Sequence, residues 1–247
     1  MAGHSKFKNI QHRKGAQDKK RAKVFSRLGK ELAVAVRGGS DPDANPRLRT
    51  ALAACRAANM PKDNIERVIK KVEGGDDVNY EEIRYEGYGP GGTALIVETM
   101  TDNRNRTASE VRAAFSKYNG SLGETGSVSF MFDKVGEILF EADVTDAYAM
   151  FEAALEAGAD NVESDDDGHA IICAVEDFNT VRDALEEAFG PPSEAAITWK
   201  PQNLVEVTAD HAKGLLKLME VLDDNDDVQA ISSNFDISDD VLAALEA

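Results

Sequence analysis

The chain has 247 residues, 42% of them hydrophobic and 30% charged, with 28 Lys+Arg against 45 Asp+Glu and a formal net charge of −17. This length fits one large domain or two to three small ones, and the composition excludes collagen-like, mucin-like and wholly disordered chains. No apolar run approaches the roughly 18 residues of a membrane span, and no apolar stretch follows the basic N-terminus as a secretory signal requires, so a cytoplasmic location is expected.

The charge is unevenly divided along the chain. Residues 1–75 hold 18 basic and 7 acidic side chains, whereas the remaining 172 hold 10 and 38. A sequence pI near 4.6 suggests a protein that avoids polyanions, yet its first third carries the charge of a nucleic-acid-binding module. The alternative is intramolecular, with the basic part neutralising the acidic part.

The elements follow in chain order. Residues 3–16 form an arm with Lys6, Phe7, Lys8, Arg13 and Lys14 among Gly and Ser. It is too polar to fold alone and suited to ordering on phosphates, with Phe7 available to stack on a base; a frayed terminus is the other reading. Over 17–36 the residues Val24, Phe25, Leu28, Leu32, Ala35 and Val36 recur at helical spacing, and Gly38-Gly39 stops the helix. Lys20, Lys23, Arg27 and Lys30 fall on the opposite face, with Asp18 the one acid before Glu31. A solvated face normally mixes signs, so this one is expected to be exposed and to contact phosphates. Reversing these four charges should then abolish binding and leave folding intact.

Asn45-Pro46 offers an N-cap and a proline at the first helical position, leading a second helix through Leu48, Leu52 and Cys55. Arg47 and Arg49, with Arg56, are placed on it to reach phosphates or bases. A third helix carries Ile65, Val68, Ile69 and Val72, completing a basic helical nucleic-acid-binding domain over 1–78.

Beyond it the period changes. Residues 81–88 and 93–101 read as strands around a Gly-Pro-Gly-Gly turn, Thr107-Ala-Ser-Glu110 reads as a capping box opening a helix, and 127–132 reads as a strand. Strand 136–142, helix 145–157, strand 160–164, strand 169–175, helix 177–189 and strand 195–200 then give βαββαβ, the ferredoxin-like order. Strand 203–208, helix 210–222 and strand 228–235 form a further βαβ half. Joined to the half at 93–132, they predict a discontinuous α/β domain, 79–133 and 203–247, holding an inserted βαββαβ domain at 134–202. The fold class is α+β: an N-terminal three-helix domain and two ferredoxin-like domains, the third inserted into the discontinuous second.

Several motifs resemble chemistry without supplying it. Gly87 to Gly92 satisfies GxGxxG, but a strand follows it where a dinucleotide site needs a helix. Arg104 and Arg106 sit just ahead of the capped helix, where free N–H groups and the dipole favour an anion, so a second polyanion contact and pairing with nearby acids are both open. The aspartate runs 165–167 and 223–227 lack the spacing of calcium loops and read as turns. Cys55 and Cys173, far apart and without CxxC partners, read as small buried hydrophobes. No grouping of Ser, His, Asp or Cys suggests a nucleophile, so no catalytic residue, metal or cofactor is expected and the chain reads as a non-enzyme.

The wording of particular segments carries more. AGHSKF-x-NI-x-HRK-x-AQD-x-KR at the start, GG-S-DP-x-x-NPRLR at 38–49, NMPKDNI at 59–65, YEGYGPGG at 85–92, TDNRNRT at 101–107 and LG-x-x-GSVSFMF at 122–132 closely resemble the YebC family. Phe7 and Phe130 stand where that family commonly has Trp, and both keep an aromatic ring. The resemblance implies a three-domain cytoplasmic protein with a helical N-terminal domain. The family's mitochondrial relatives are translational activators of cytochrome oxidase subunit one, and the resemblance implies one of two roles: a DNA-binding regulator of transcription, or a ribosome-associated factor that binds ribosomal RNA and helps translation through proline-rich stretches. The partner expected is therefore DNA or ribosomal RNA, without a membrane or small-molecule cofactor; the oligomeric state stays open.

Overall fold

The structure, a computed structural model, describes residues 17–75 and 79–246. Helices α1 (Gln17–Val36), α2 (Pro46–Ala57) and α3 (Lys62–Glu73) occupy the N-terminal third. The hairpin β1 (Glu81–Tyr88) and β2 (Ala94–Thr101), helix α4 (Arg104–Lys117) and the short β3 (Ser121–Leu122) follow. Next come β4 (Phe132–Phe140), α5 (Ala147–Ala157), β5 (Asn161–Asp165), β6 (Gly168–Cys173), α6 (Phe178–Phe189) and β7 (Glu194–Pro201). The chain ends with β8 (Val205–Glu206), α7 (Ala209–Asp223), β9 (Val228–Ser233), β10 (Phe235–Asp236) and α8 (Asp239–Glu246). The class is α+β, and among the described residues no helix is long and apolar enough to cross a membrane. The chain divides into two compact units, one drawing on 1–30, 78–133 and 199–247, the other on 31–77 and 134–198.

In the first unit the strands run β3-β1-β2-β9, each neighbouring pair antiparallel. β2 is buried along nearly its whole length because both sheet faces are covered. Leu95 and Val97 pack with Val111 and Phe115 of α4 and with Leu215, Leu218 and Met219 of α7, whereas Ala94 and Ile96 pack with Val128, Phe132, Met131 and Trp199. The glycine-rich segment is one 3-10 turn, Pro90–Gly92, with Gly91 and Gly92 at φ of 76° and 74°, and it leads directly into β2. It is a hairpin turn.

In the second unit the strands run β5-β6-β4-β7, the layout of a βαββαβ chain. Ile138, Phe140, Ile171 and Cys173 of the sheet pack against Met150 and Ala154 of α5 and Phe178, Val181 and Leu185 of α6. Asn45 caps α2 by accepting the Leu48 N–H at 3.0 Å, and Leu32, Leu48, Ala51 and Cys55 are buried. The Arg182 guanidinium, buried on α6, donates to Asp183 and to the Thr50 hydroxyl, which in turn donates to Asn179. This ties α2 to α6.

The first sheet repeats the spatial order of the second with altered connectivity. β2, α4 and β3 form one half, α7 and β9 complete the other, and β1 occupies the place that sequence reasoning gave to 203–208. A hairpin closed by a short turn is the more local contact, so β1 takes that place at low entropic cost. Segment 203–208 instead supplies two residues, Val205 and Glu206, which pair in parallel with β10 outside the four-stranded sheet. Segment 127–132 is likewise not a strand up to Phe132, and Ser129–Met131 form a 3-10 turn. The cause is Glu86 on β1, whose buried carboxylate accepts the N–H groups of Val128 at 3.0 Å and Ser129 at 2.9 Å and so removes them from any ladder. Burial opposes this charge, yet those N–H donors, that of Gly126 and the Arg84 guanidinium outweigh it and hold the carboxyl below its ordinary pKa.

Gly87 lies where β1, β3 and α4 converge. A Cβ there would sit 2.6 Å from the Ser121 carbonyl oxygen and 2.8 Å from the Phe115 ring. Gly87→Ala is expected to cost about 1–3 kcal/mol, read as a lower urea midpoint; an unchanged midpoint would contradict this close approach.

Candidate nucleic-acid interface

The helical spacing of Lys23, Arg27 and Lys30 does place them on one face of α1, but that face meets the chain's own acids. Lys23 donates to the Asp223 carboxylate at 3.0 Å. Arg27 donates to the Asp223 carboxylate and to its backbone oxygen, both at 2.8 Å, and its Nε donates to the Val228 oxygen at 2.8 Å. Lys30 donates to Asp227 at 2.9 Å and to the backbone oxygens of Asp226 and Met100. These three side chains retain 19, 21 and 12% of their exposure, whereas Val24, expected in the core, is 41% exposed. The first half of α1 is thus docked through its cations. The expectation of an exposed cationic face at these three residues is corrected, and charge reversal there is now expected to disturb the fold. Glutamates at 23, 27 and 30 would face Asp223 and Asp227.

Asp227 is the centre of this network. Besides Lys30 it accepts from Arg106 at 2.7 Å, Thr107 at 2.8 Å and Thr101 at 3.1 Å, with its side chain 5% exposed. Burial alone would raise its pKa, but the hydrogen bonds from Arg106, Lys30 and Thr107 hold it down at about 2. Asp223 is lowered in the same way, burial being outweighed by Arg27 and Lys23.

The helix that carries Arg106 begins one turn earlier than its sequence motif suggested. Asn103 is the N-cap of α4, accepting the Arg106 N–H at 3.1 Å, and Thr107 is a buried residue of the network. Arg104 and Arg106 therefore stand in the first turn and not ahead of it. Arg106 also donates to Asp102 at 2.8 Å. Arg104 is exposed, and together with Arg112 it partly offsets the burial that raises the Tyr85 hydroxyl's pKa.

In the helical segment, Arg47 pairs with Glu31 at 2.8 Å and Arg49 donates to the backbone oxygens of Pro42 and Asp43. Lys6, Phe7, Lys8, Arg13 and Lys14 lie outside the described residues, and Lys20 sits in the first turn of α1 with its side chain outside them too. Cys55 and Cys173 are buried and unpaired, and burial pushes both thiols up to about 11.

Among the described residues four exposed cations lie on α3, the helix for which the sequence showed an apolar face of Ile65, Val68, Ile69 and Val72. α2 and α3 are joined by Ala58 to Pro61, with Asn59 in the left-handed region at φ 54°. α3 buries no residue completely. Ile65, Val68, Ile69 and Val72 share its half-covered side, while Lys62, Arg67, Lys70 and Lys71 fall within an arc of about 180° on the other and are exposed. Lys62 and Lys70 lie 3.6 and 3.7 Å from Glu66, exposed pairs that solvent weakens, and Arg67 and Lys71 form no ion pair among the described residues. The signal was in the sequence: three cations at 67, 70 and 71 opposite the apolar residues.

A family model described as the TACO1/YebC protein N-terminal domain matches residues 5–75, and one described as the TACO1/YebC second and third domain, which bears a transcription-regulator name, matches 80–235. The chain belongs to the YebC family. Among solved structures, the crystal structure of a conserved hypothetical protein from Aquifex aeolicus is similar to this YebC-family chain with a TM-score of 0.83 and 43% identity, covering 89% of this chain and 91% of that one. The resemblance carried by the six motifs is thus confirmed at the level of family and fold.

The Asp227 network, with the lowered carboxyls of Asp223 and Glu86, is expected to contribute to the acid sensitivity of this YebC-family chain. Because the folded pKa of Asp227 is depressed from the ordinary 3.8 to about 2, its stabilisation is present above about pH 4 and is lost as pH falls towards 2. Asp227→Asn is expected to cost about 3 kcal/mol near pH 7 and to flatten the stability profile between pH 4 and 2. Urea titrations across that range check it, and parallel profiles for the two proteins would contradict it.

Proposed function

We propose that this protein is a non-enzymatic, cytoplasmic nucleic-acid-binding regulator that acts on DNA in the control of transcription. The observation that carries the reading is α3: four exposed cations, interspersed with Asp63, Glu66 and Glu73, on one side of a helix that buries no residue, joined by a four-residue turn to α2. In a short helix-turn-helix layout the second helix is the one that can enter a groove, and cations along it meet phosphates on entry. Arg56, exposed in the last turn of α2, and Arg49 extend the same positive segment. The transcription-regulator name of the family model agrees with this reading.

One observation favours the second reading, a ribosome-associated factor. Phe130 is 66% exposed on the 3-10 turn that Glu86 holds in place. A fixed exposed ring suits stacking on an unpaired base, which structured RNA presents and duplex DNA does not.

The test is binding of the full chain to duplex DNA, followed by fluorescence anisotropy across a salt series. Replacement of Lys62, Arg67, Lys70 and Lys71 by Ala is expected to weaken binding at least about tenfold and to reduce the salt slope by about 3. Unchanged affinity and slope would overturn the assignment to α3. Ribosome cosedimentation separates the readings: retention on ribosomes that Phe130→Ala abolishes while DNA affinity is unaltered favours the ribosomal role.

A further inference from the structure

The segment folded as β4 to β7 is the most acidic part of the chain: residues 134–198 hold 2 basic and 17 acidic side chains. One of the two basic residues, Arg182, is buried against Asp183. Within this anionic body α5 presents two apolar sides. Met150 and Ala154 face the core. Tyr148, Phe151 and Leu155 stand on the other side at i, i+3 and i+7, and are 70, 50 and 61% exposed. Single exposed apolar residues are ordinary, but three large ones aligned on one helix face form a docking stripe. Acids flank it. Glu152 and Glu156 are exposed on the same helix, and the Tyr148 hydroxyl donates to Glu152 at 2.7 Å, which holds that carboxylate beside the stripe. α6, packed against α5, adds exposed Asp183, Glu186 and Glu187.

The sign of this field decides the occupant. Nucleic acid and anionic membranes are repelled, and a second copy of the same face would set like charges against each other. What fits is an apolar stripe framed by positive charge, the pattern of helix-in-groove recognition read through i, i+3 and i+7 anchors. We propose that this face of α5 docks a basic amphipathic helix of a partner protein. Tyr148, Phe151 and Leu155 cover its apolar side, and Glu152 and Glu156 pair with its lysines or arginines. The acidic insert is then a protein-binding module, separate in charge from the cationic α3.

The test uses the full chain and a labelled Leu/Lys peptide of about 18 residues whose leucines recur at i, i+3, i+4 and i+7, beside a scrambled peptide of identical composition. The amphipathic peptide is expected to bind at least about tenfold more tightly than the scrambled one. A Y148S/F151S/L155S variant, altered only at exposed positions and checked for an unchanged Tm, is expected to lose that difference, and an E152K/E156K variant to bind both peptides more weakly. Equal binding of the two peptides, or equal preference in the wild type and the serine variant, would overturn the proposal, because net charge alone would then account for binding. Sedimentation equilibrium showing a dimer that the serine variant abolishes would overturn it in favour of a second copy.

Discussion

The ion-pair seam between α1 and the acidic exit of α7 is the interaction on which the arrangement of charge in this molecule depends. The C-terminal end of a helix carries the negative end of its dipole, and here Asp223, Asp224, Asp226 and Asp227 are placed at or just beyond it. Left alone, such an end would repel itself. Lys23, Arg27 and Lys30 supply three cations and also satisfy the backbone oxygens of Asp223, Asp226, Val228 and Met100, which would otherwise seek other donors. Asp227 extends the seam inward to Arg106, Thr101 and Thr107, so that α1, β2, α4 and the α7 exit share one hydrogen-bonded network.

This seam changes what the positive charge of the N-terminal third can do. A cation engaged at 2.8–3.0 Å by a carboxylate with little exposure exchanges a strong local partner for a phosphate at considerable cost, whereas one on an exposed helix gives up only water and weak pairs. The same reasoning moves the candidate interface from α1 to α3, where Glu66 is the acid nearest Lys62 and Lys70. Both alternatives posed by the sequence are therefore realised in part: some basic residues neutralise the chain's own acids, and others remain available to a partner.

Local signals in the sequence located most of the fold. Asn45-Pro46 fixed the start of α2, the 3.6-residue period found α1 and α3, and the alternating order of elements gave the βαββαβ insert. The misses arise where a distant group settles a local competition. Val128 and Ser129 have strand-like neighbours, but Glu86, more than 40 positions away, takes their N–H groups. Thr107 reads as a cap until Asp227 accepts its hydroxyl from 120 positions away and Asn103 caps the helix instead. The candidate site was less legible for the same reason. A helical wheel assigns Lys23, Arg27 and Lys30 to a polar face, but does not show whether that face meets water or another segment of the chain.

Lysine reactivity footprinting of the full chain, with and without duplex DNA, tests the central claim most directly, because it reports the state of each ammonium group separately. The account predicts that Lys23 and Lys30 react slowly in both states, while Lys62, Lys70 and Lys71 react readily in the free protein and are protected by DNA. Fast labelling of Lys23 and Lys30 in the free protein, with protection on adding DNA and none on α3, would contradict it.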